Sequence, residues 1–109
     1  ANQWVKRGIS FIPCLYPYDY PAGNRFDAYL AVYSSDGSVL VSVGGIEMGQ
    51  GLNTKVTQVV AKEFGIPVSK IKVTASTTLT SPENTTTGGS MGSESCASVS
   101  VSFQLAIKS

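Results

Sequence analysis

Histidine is absent from all 109 residues. Its absence excludes a Ser-His-Asp triad, a Cys-His nucleophile pair and a His-ligated zinc built from this chain alone. Cysteine is almost as scarce, and Cys14 and Cys96 share no metal-ligand spacing. They read as reduced, buried thiols of a cytosolic protein, because an unpaired cysteine behaves as a small hydrophobe. Charged residues make up 14% of the chain, where an ordinary domain carries about 25%. The net charge is +1 with no basic run, which leaves a nucleic-acid footprint unsupported. No apolar run nears the ~20 residues that cross a membrane. Neither nucleic acid nor membrane is therefore expected as a partner. So few charges mean either a surface unusually rich in Ser and Thr or, the favoured reading, a surface partly covered by something else. The chain opens on Ala1 with no charged-then-apolar leader, so residues 1–109 are expected to be one segment of a larger domain.

What is present alternates in two periods. Ile9–Ile12 reads as a short strand stopped by Pro13, and residues 14–25, with two prolines and three tyrosines, read as a surface loop. Phe26, Ala28, Leu30 and Val32 alternate with Asp27, Tyr29, Ala31 and Tyr33, the period of a half-buried strand. Asp36-Gly37 supplies a hairpin turn, and Ser38–Val43 returns. Leu52, Val56, Val59, Val60 and Phe64 then form one helical stripe, closed by Gly65 and Pro67. A strand over Lys70–Ala75, a polar loop over residues 76–93 and a second helix over about Glu94–Ile107 follow. On that helix Cys96, Val99, Phe103, Ala106 and Ile107 share a face, while its serine-rich side argues for packing rather than propensity. The class is α+β: a mixed sheet with a β-hairpin and two helices on one face, in the order β-β-β-α-β-α.

Each helix follows a glycine-bearing polar loop, GGIEMGQG before the first and TTTGGSMGS before the second. A helix N-terminus offers unpaired N–H groups and about half a positive charge, so two of them on one side of a sheet suit a polar or anionic ligand. Nucleotide motifs fail at this point. Gln50-Gly51 stands where a P-loop needs Lys and Ser or Thr, and the G-x-G-x-x-G pattern ends at Thr54. The bland alternatives remain: a tight turn with a solvated Gln50, a solvated or salt-bridged Glu47 and a packed Met48. Thr87 and Ser90 read equally as helix caps or ligand contacts.

The run VLVSVGGIEMGQGLNTKVTQVVAKEFGIPVSKIKV resembles the molybdenum hydroxylases, the aldehyde oxidase and xanthine dehydrogenase family. Lys6-Arg7-Gly8-Ile9, Asp36-Gly37-Ser38-Val39 and Thr87-Gly88-Gly89-Ser90 extend the likeness over nearly the whole chain. The resemblance implies that Met48, Gly49, Gly88, Gly89 and Ser90 bind molybdopterin. It brings the Gln50 amide near the molybdenum ligands without making it a ligand. It further implies hydroxylation of a small aldehyde or heterocycle with oxygen from water, and electron exit through 2Fe-2S clusters to FAD. The catalytic glutamate, clusters and flavin would lie in the remaining domains of a cytoplasmic, homodimeric parent chain, and no catalytic residue lies within 1–109. Ile46 and Gly88-Gly89-Ser90 lean towards aldehyde oxidase. A xanthine dehydrogenase segment, or a module inactive when isolated, is the alternative. Two positions depart from the family pattern: Asn53 stands where His is frequent, and Gly92 where a second serine is frequent.

Overall fold

The structure is a computed structural model that describes residues 3–16, 26–81 and 84–108, with backbone alone for 103–108. Strands β1 (Ala28–Val32) and β2 (Val39–Val43) form the expected antiparallel hairpin, with Leu30 opposite Val41. Its turn is closed by Asp36, whose Oδ1 accepts from the N–H of Ser38 at 3.0 Å and from its hydroxyl at 2.8 Å. Helix α1 (Leu52–Phe64) follows, then a single 3-10 turn (Val68–Lys70) and strand β3 (Ile71–Val73). β3 lies parallel to β2, so the sheet order is β1-β2-β3. Helix α2 (Gly92–Lys108) ends the described chain.

The apolar stripe of α1 explains its position. Leu52, Val56, Val60 and Ala61 are buried in one cluster with Val39, Val41 and Val43 of β2, and Phe26, Ala28, Ile71 and Cys96 complete it. Full burial of a branched side chain contributes about 1.5–3 kcal/mol, so this stripe outweighs the middling propensity of a valine- and threonine-bearing helix. Gly65 takes a left-handed conformation and donates to the carbonyls of Ala61 and Lys62, the helix stop expected from the Gly-Pro signal. In α2, Cys96 is buried and Val99 partly so, as expected; Phe103, Ala106 and Ile107 lie outside the described side chains. Its serines are satisfied along the helix, Ser100 donating to the carbonyl of Cys96 at 2.8 Å and Ser102 to that of Ser98 at 3.0 Å.

The α+β class and the mixed sheet agree with the sequence reading. Two expectations need correction. Ile9–Ile12 carries no strand ladder: Ile9 and Phe11 are 101% and 93% exposed, because no described sheet edge runs beside them. Cys14 is exposed rather than buried, for it lies on the same unpacked segment. The tyrosine-rich stretch 17–25 falls outside the described residues.

Because β2 and β3 run parallel, their carboxyl ends open on the same side of the sheet. The segments leaving both strands therefore meet at one end, where ligands of open α/β layers are usually held.

Candidate functional site

The first loop, residues 44–51, is shaped by close approach. A Cβ on Gly44 would overlap the Asn84 carboxamide, and one on Gly45 would come within 2.7 Å of both Cys96 Sγ and Leu52 Cδ2. Gly49 and Gly51 hold φ values of 92° and 81°, in the left-handed region that glycine enters without steric cost. Gly51 is also the N-cap of α1, and no side chain of its own caps the helix.

Glu47 supplies the missing cap from four residues upstream. Its Oε1 accepts from the N–H of Gly49 at 2.8 Å and of Gly51 at 3.0 Å, and its Oε2 from that of Asn53 at 2.9 Å. These backbone donors, led by Asn53 and Gly51, hold the carboxyl below the usual glutamate range. The helix terminus expected to face a ligand is thus filled by an anion of the chain itself. A carboxylate held in this way is also a poor proton acceptor.

Gln50 is fastened to the same loop. Its Nε2 donates to the carbonyl of Ile46 at 2.7 Å, and its Oε1 accepts from the N–H of Met48 at 2.5 Å. The two partners fix which end of the amide is which. One N–H of the carboxamide stays available for a ligand.

The second loop is tied to the first from several directions. Thr87 Oγ1 accepts from the N–H of Ile46 at 2.9 Å, and Ser76 Oγ lies 2.6 Å and 2.9 Å from the carbonyls of Val43 and Gly45. Asn84 Oδ1 accepts from the N–H of Asp27 at 2.8 Å, while its Nδ2 donates to the carbonyl of Ser81. Tyr16 donates its hydroxyl to the carbonyl of Gly89 at 2.8 Å, bringing the amino-terminal segment to the loop. Ser90 is the one non-glycine residue with positive φ among the described residues, at 60°. Such a conformation costs on the order of 1 kcal/mol or more, and strained residues of this kind cluster at binding sites.

The two corners face one cavity of about 410 Å³, lined by Met48, Gln50, Lys55, Thr87, Gly88, Gly89, Ser90, Gly92 and Ser93. Five of the six residues expected to hold the cofactor are therefore brought together. Gly49, the sixth, does not line it and gives its N–H to Glu47. Asn53 borders two other hollows on the flank of α1. Lys55 was missed by sequence reasoning. It lies one helical turn past Gly51, and its ammonium donates to Ser93 Oγ at 3.0 Å, across to α2. The signal was present in the sequence, since a cation one turn inside a helix that begins at a glycine corner points back at that corner. Elsewhere, burial pushes the Cys96 thiol up, so it is held protonated. Among the described residues no group of three or more His, Cys, Asp and Glu side chains could hold a metal ion. No described helix is long and apolar enough to cross a membrane.

Two glycine-bearing corners of a mixed α+β layer share one cavity with a lysine in its wall and frame a candidate cofactor site. A family model described as "Molybdopterin cofactor-binding domain" matches residues 1–102, and the chain belongs to that family. It is 44% identical over 93 residues to aldehyde oxidase 3 of Rattus norvegicus, and 43% identical over 95 residues to xanthine dehydrogenase of Oryza sativa subsp. japonica. These matches cover 84% and 85% of the chain but 7% of each relative, so it spans a small part of their length. Among solved structures it resembles a Cu,Mo-CO dehydrogenase in its carbon monoxide reduced state, with a TM-score of 0.69 and 28% identity. That likeness covers 78% of this chain and 11% of the dehydrogenase chain.

Proposed function

We propose that this chain forms part of the molybdopterin-binding wall of a molybdenum hydroxylase that oxidises aldehydes to carboxylic acids. The observation that carries the reading is the convergence of Met48, Gln50 and Gly88–Ser90 on one cavity. The donor set fits such a group. Its volume falls within the ~300–1,000 Å³ usual for ligand pockets, and glycines allow a flat ring system to approach the backbone. The Lys55 ammonium and the hydroxyls of Thr87, Ser90 and Ser93 suit an anionic, hydrogen-bonding ligand.

In this reading Met48, Gly88, Gly89 and Ser90 bind the pterin, with Gly49 supporting the loop from behind. Gln50 offers its remaining amide N–H towards the ligands of the metal, and Lys55 balances negative charge. The bound group supplies the oxidation chemistry, hydroxylating a substrate carbon with oxygen from water. The same reading puts FAD, 2Fe-2S clusters and the catalytic glutamate in remaining domains of a longer, cytoplasmic, homodimeric chain.

Gln50→Ala in the full-length enzyme tests the assignment. Molybdenum content and aldehyde turnover should both fall, and wild-type values for both would remove Gln50 from the site. A second reading, xanthine dehydrogenase, is favoured by the rice enzyme's identity being within one percentage point of the rat aldehyde oxidase's. Turnover of xanthine with no turnover of aldehydes by the full-length enzyme would select it.

A further inference from the structure

We infer that Glu47 is a positioning residue for the cofactor loop: its carboxylate takes the place of a ligand anion at the start of α1 and thereby sets Met48 and Gln50 at the cavity before any cofactor arrives. The inference rests on the molybdopterin reading above and deepens it.

The geometry divides the loop into a back and a front. On the back, both Glu47 oxygens are engaged by the N–H groups of Gly49, Gly51 and Asn53. A neutral amide could not replace them, because its NH2 end would face a donor at the site of one oxygen. On the front, Met48 and Gln50 line the cavity, and the Gln50 amide spans the carbonyl of Ile46 and the N–H of Met48. Residues 46–53 are thus cross-braced by five side-chain to backbone bonds contributed by two side chains. Glu47 and Gln50 brace opposite sides of Gly49, so releasing one frees the turn that orients the other.

A charge order follows. The amides at the start of α1 are spent on Glu47, so the negative groups of the ligand are received by Lys55, Ser90 and Ser93. A flexible glycine-rich corner must otherwise be ordered at the expense of binding, and preorganisation removes that cost.

The test uses the full-length enzyme in two parts. Native-state amide exchange on cofactor-free wild-type protein should show Gly49, Gly51 and Asn53 protected together, with that protection weakening on acidification as Glu47 takes up a proton. Unprotected amides in the cofactor-free protein would overturn the inference with no variant involved. Glu47→Gln should lower molybdenum content several-fold. It should also flatten the dependence of cofactor retention on pH below the usual glutamate range, where Glu47 takes up its proton, a readout that a merely structural residue would not move. Wild-type retention and an unchanged pH profile in Glu47→Gln would overturn the inference while leaving the functional reading intact. Absence of molybdenum from the wild-type enzyme would overturn both.

Discussion

The N–H of Ile46 donates to Oγ1 of Thr87 across 2.9 Å, joining two loops that are 41 residues apart in sequence. Everything proposed for the cavity depends on those loops staying in register. Thr87 is therefore a tether as well as a cavity-lining residue, a role beyond the helix cap or ligand contact read from the sequence.

Thr87→Val keeps the shape and removes the acceptor. A hydrogen bond of this kind contributes about 0.5–1.5 kcal/mol. Native-state amide exchange at Ile46 should accelerate by a corresponding factor, roughly 2- to 12-fold at 25 °C, whereas Thr87→Ser should exchange as wild type. Equal rates in all three proteins would show that the tether does not hold the loop.

Gly45→Ala drives a methyl group to 2.7 Å from Cys96 Sγ and Leu52 Cδ2, both in the packed core. Overpacking of this sort costs about 1–3 kcal/mol. Because the clash is shared, Cys96→Ala should recover part of the loss. A double-mutant cycle read by amide exchange in β2 would report a favourable coupling, and strict additivity would count against the contact.

Ser90→Gly relieves the positive φ at the cavity mouth and deletes a hydroxyl. The two effects separate. Loop exchange should slow, reflecting about 1 kcal/mol of released strain, while molybdenum content should drop. Faster loop exchange would show that the backbone at Ser90 is unstrained.

Lys55→Met removes the ammonium from the cavity wall and keeps most of the side chain's length. Cofactor retention should weaken at low ionic strength, and the difference from wild type should shrink as salt screens the charge. A difference independent of salt would assign Lys55 a packing role.

Asp36 shows how acid should act at the far end of the sheet. The Ser38 N–H and hydroxyl, with a smaller contribution from Lys70, hold its carboxyl below the ordinary value of 3.8. A lowered folded-state value adds stability that is fully present above 3.8 and lost as pH falls through the folded value. Wild type should therefore exceed Asp36→Asn in amide protection at Ser38 at neutral pH, and the gap should close on acidification. A gap that widens in acid would reverse the assignment.

Local rules carried much of this fold. The α1 stripe and its Gly-Pro stop gave Leu52–Phe64 because a single periodicity and one breaker decide a helix. The hairpin was legible for the same reason, in Asp36-Gly37 between alternating runs. Ile9–Ile12 failed because alternation marks a face suited to a sheet but cannot supply the neighbouring strand. At the site, glycine content pointed to two corners, yet their reasons differ: Gly45 yields to Cys96, and Gly51 yields to a helix start. The sequence suggested a solvated or salt-bridged Glu47, and its capping bonds were not legible because its three partners are backbone amides, which no residue letter advertises. Lys55 reaches Ser93 across 38 positions, a pairing that only folding reveals.

The bare amino-terminal stretch has a practical consequence. Trp4 at 89% exposure, with Ile9, Phe11 and Leu15 more open still, forms a greasy ribbon whose peptide groups have no ladder partners among the described residues. Such a ribbon templates clumping whenever it is left uncovered. Produced by itself, the chain should therefore be recovered largely as sediment, and its solubility will depend on whatever polypeptide lies against that ribbon.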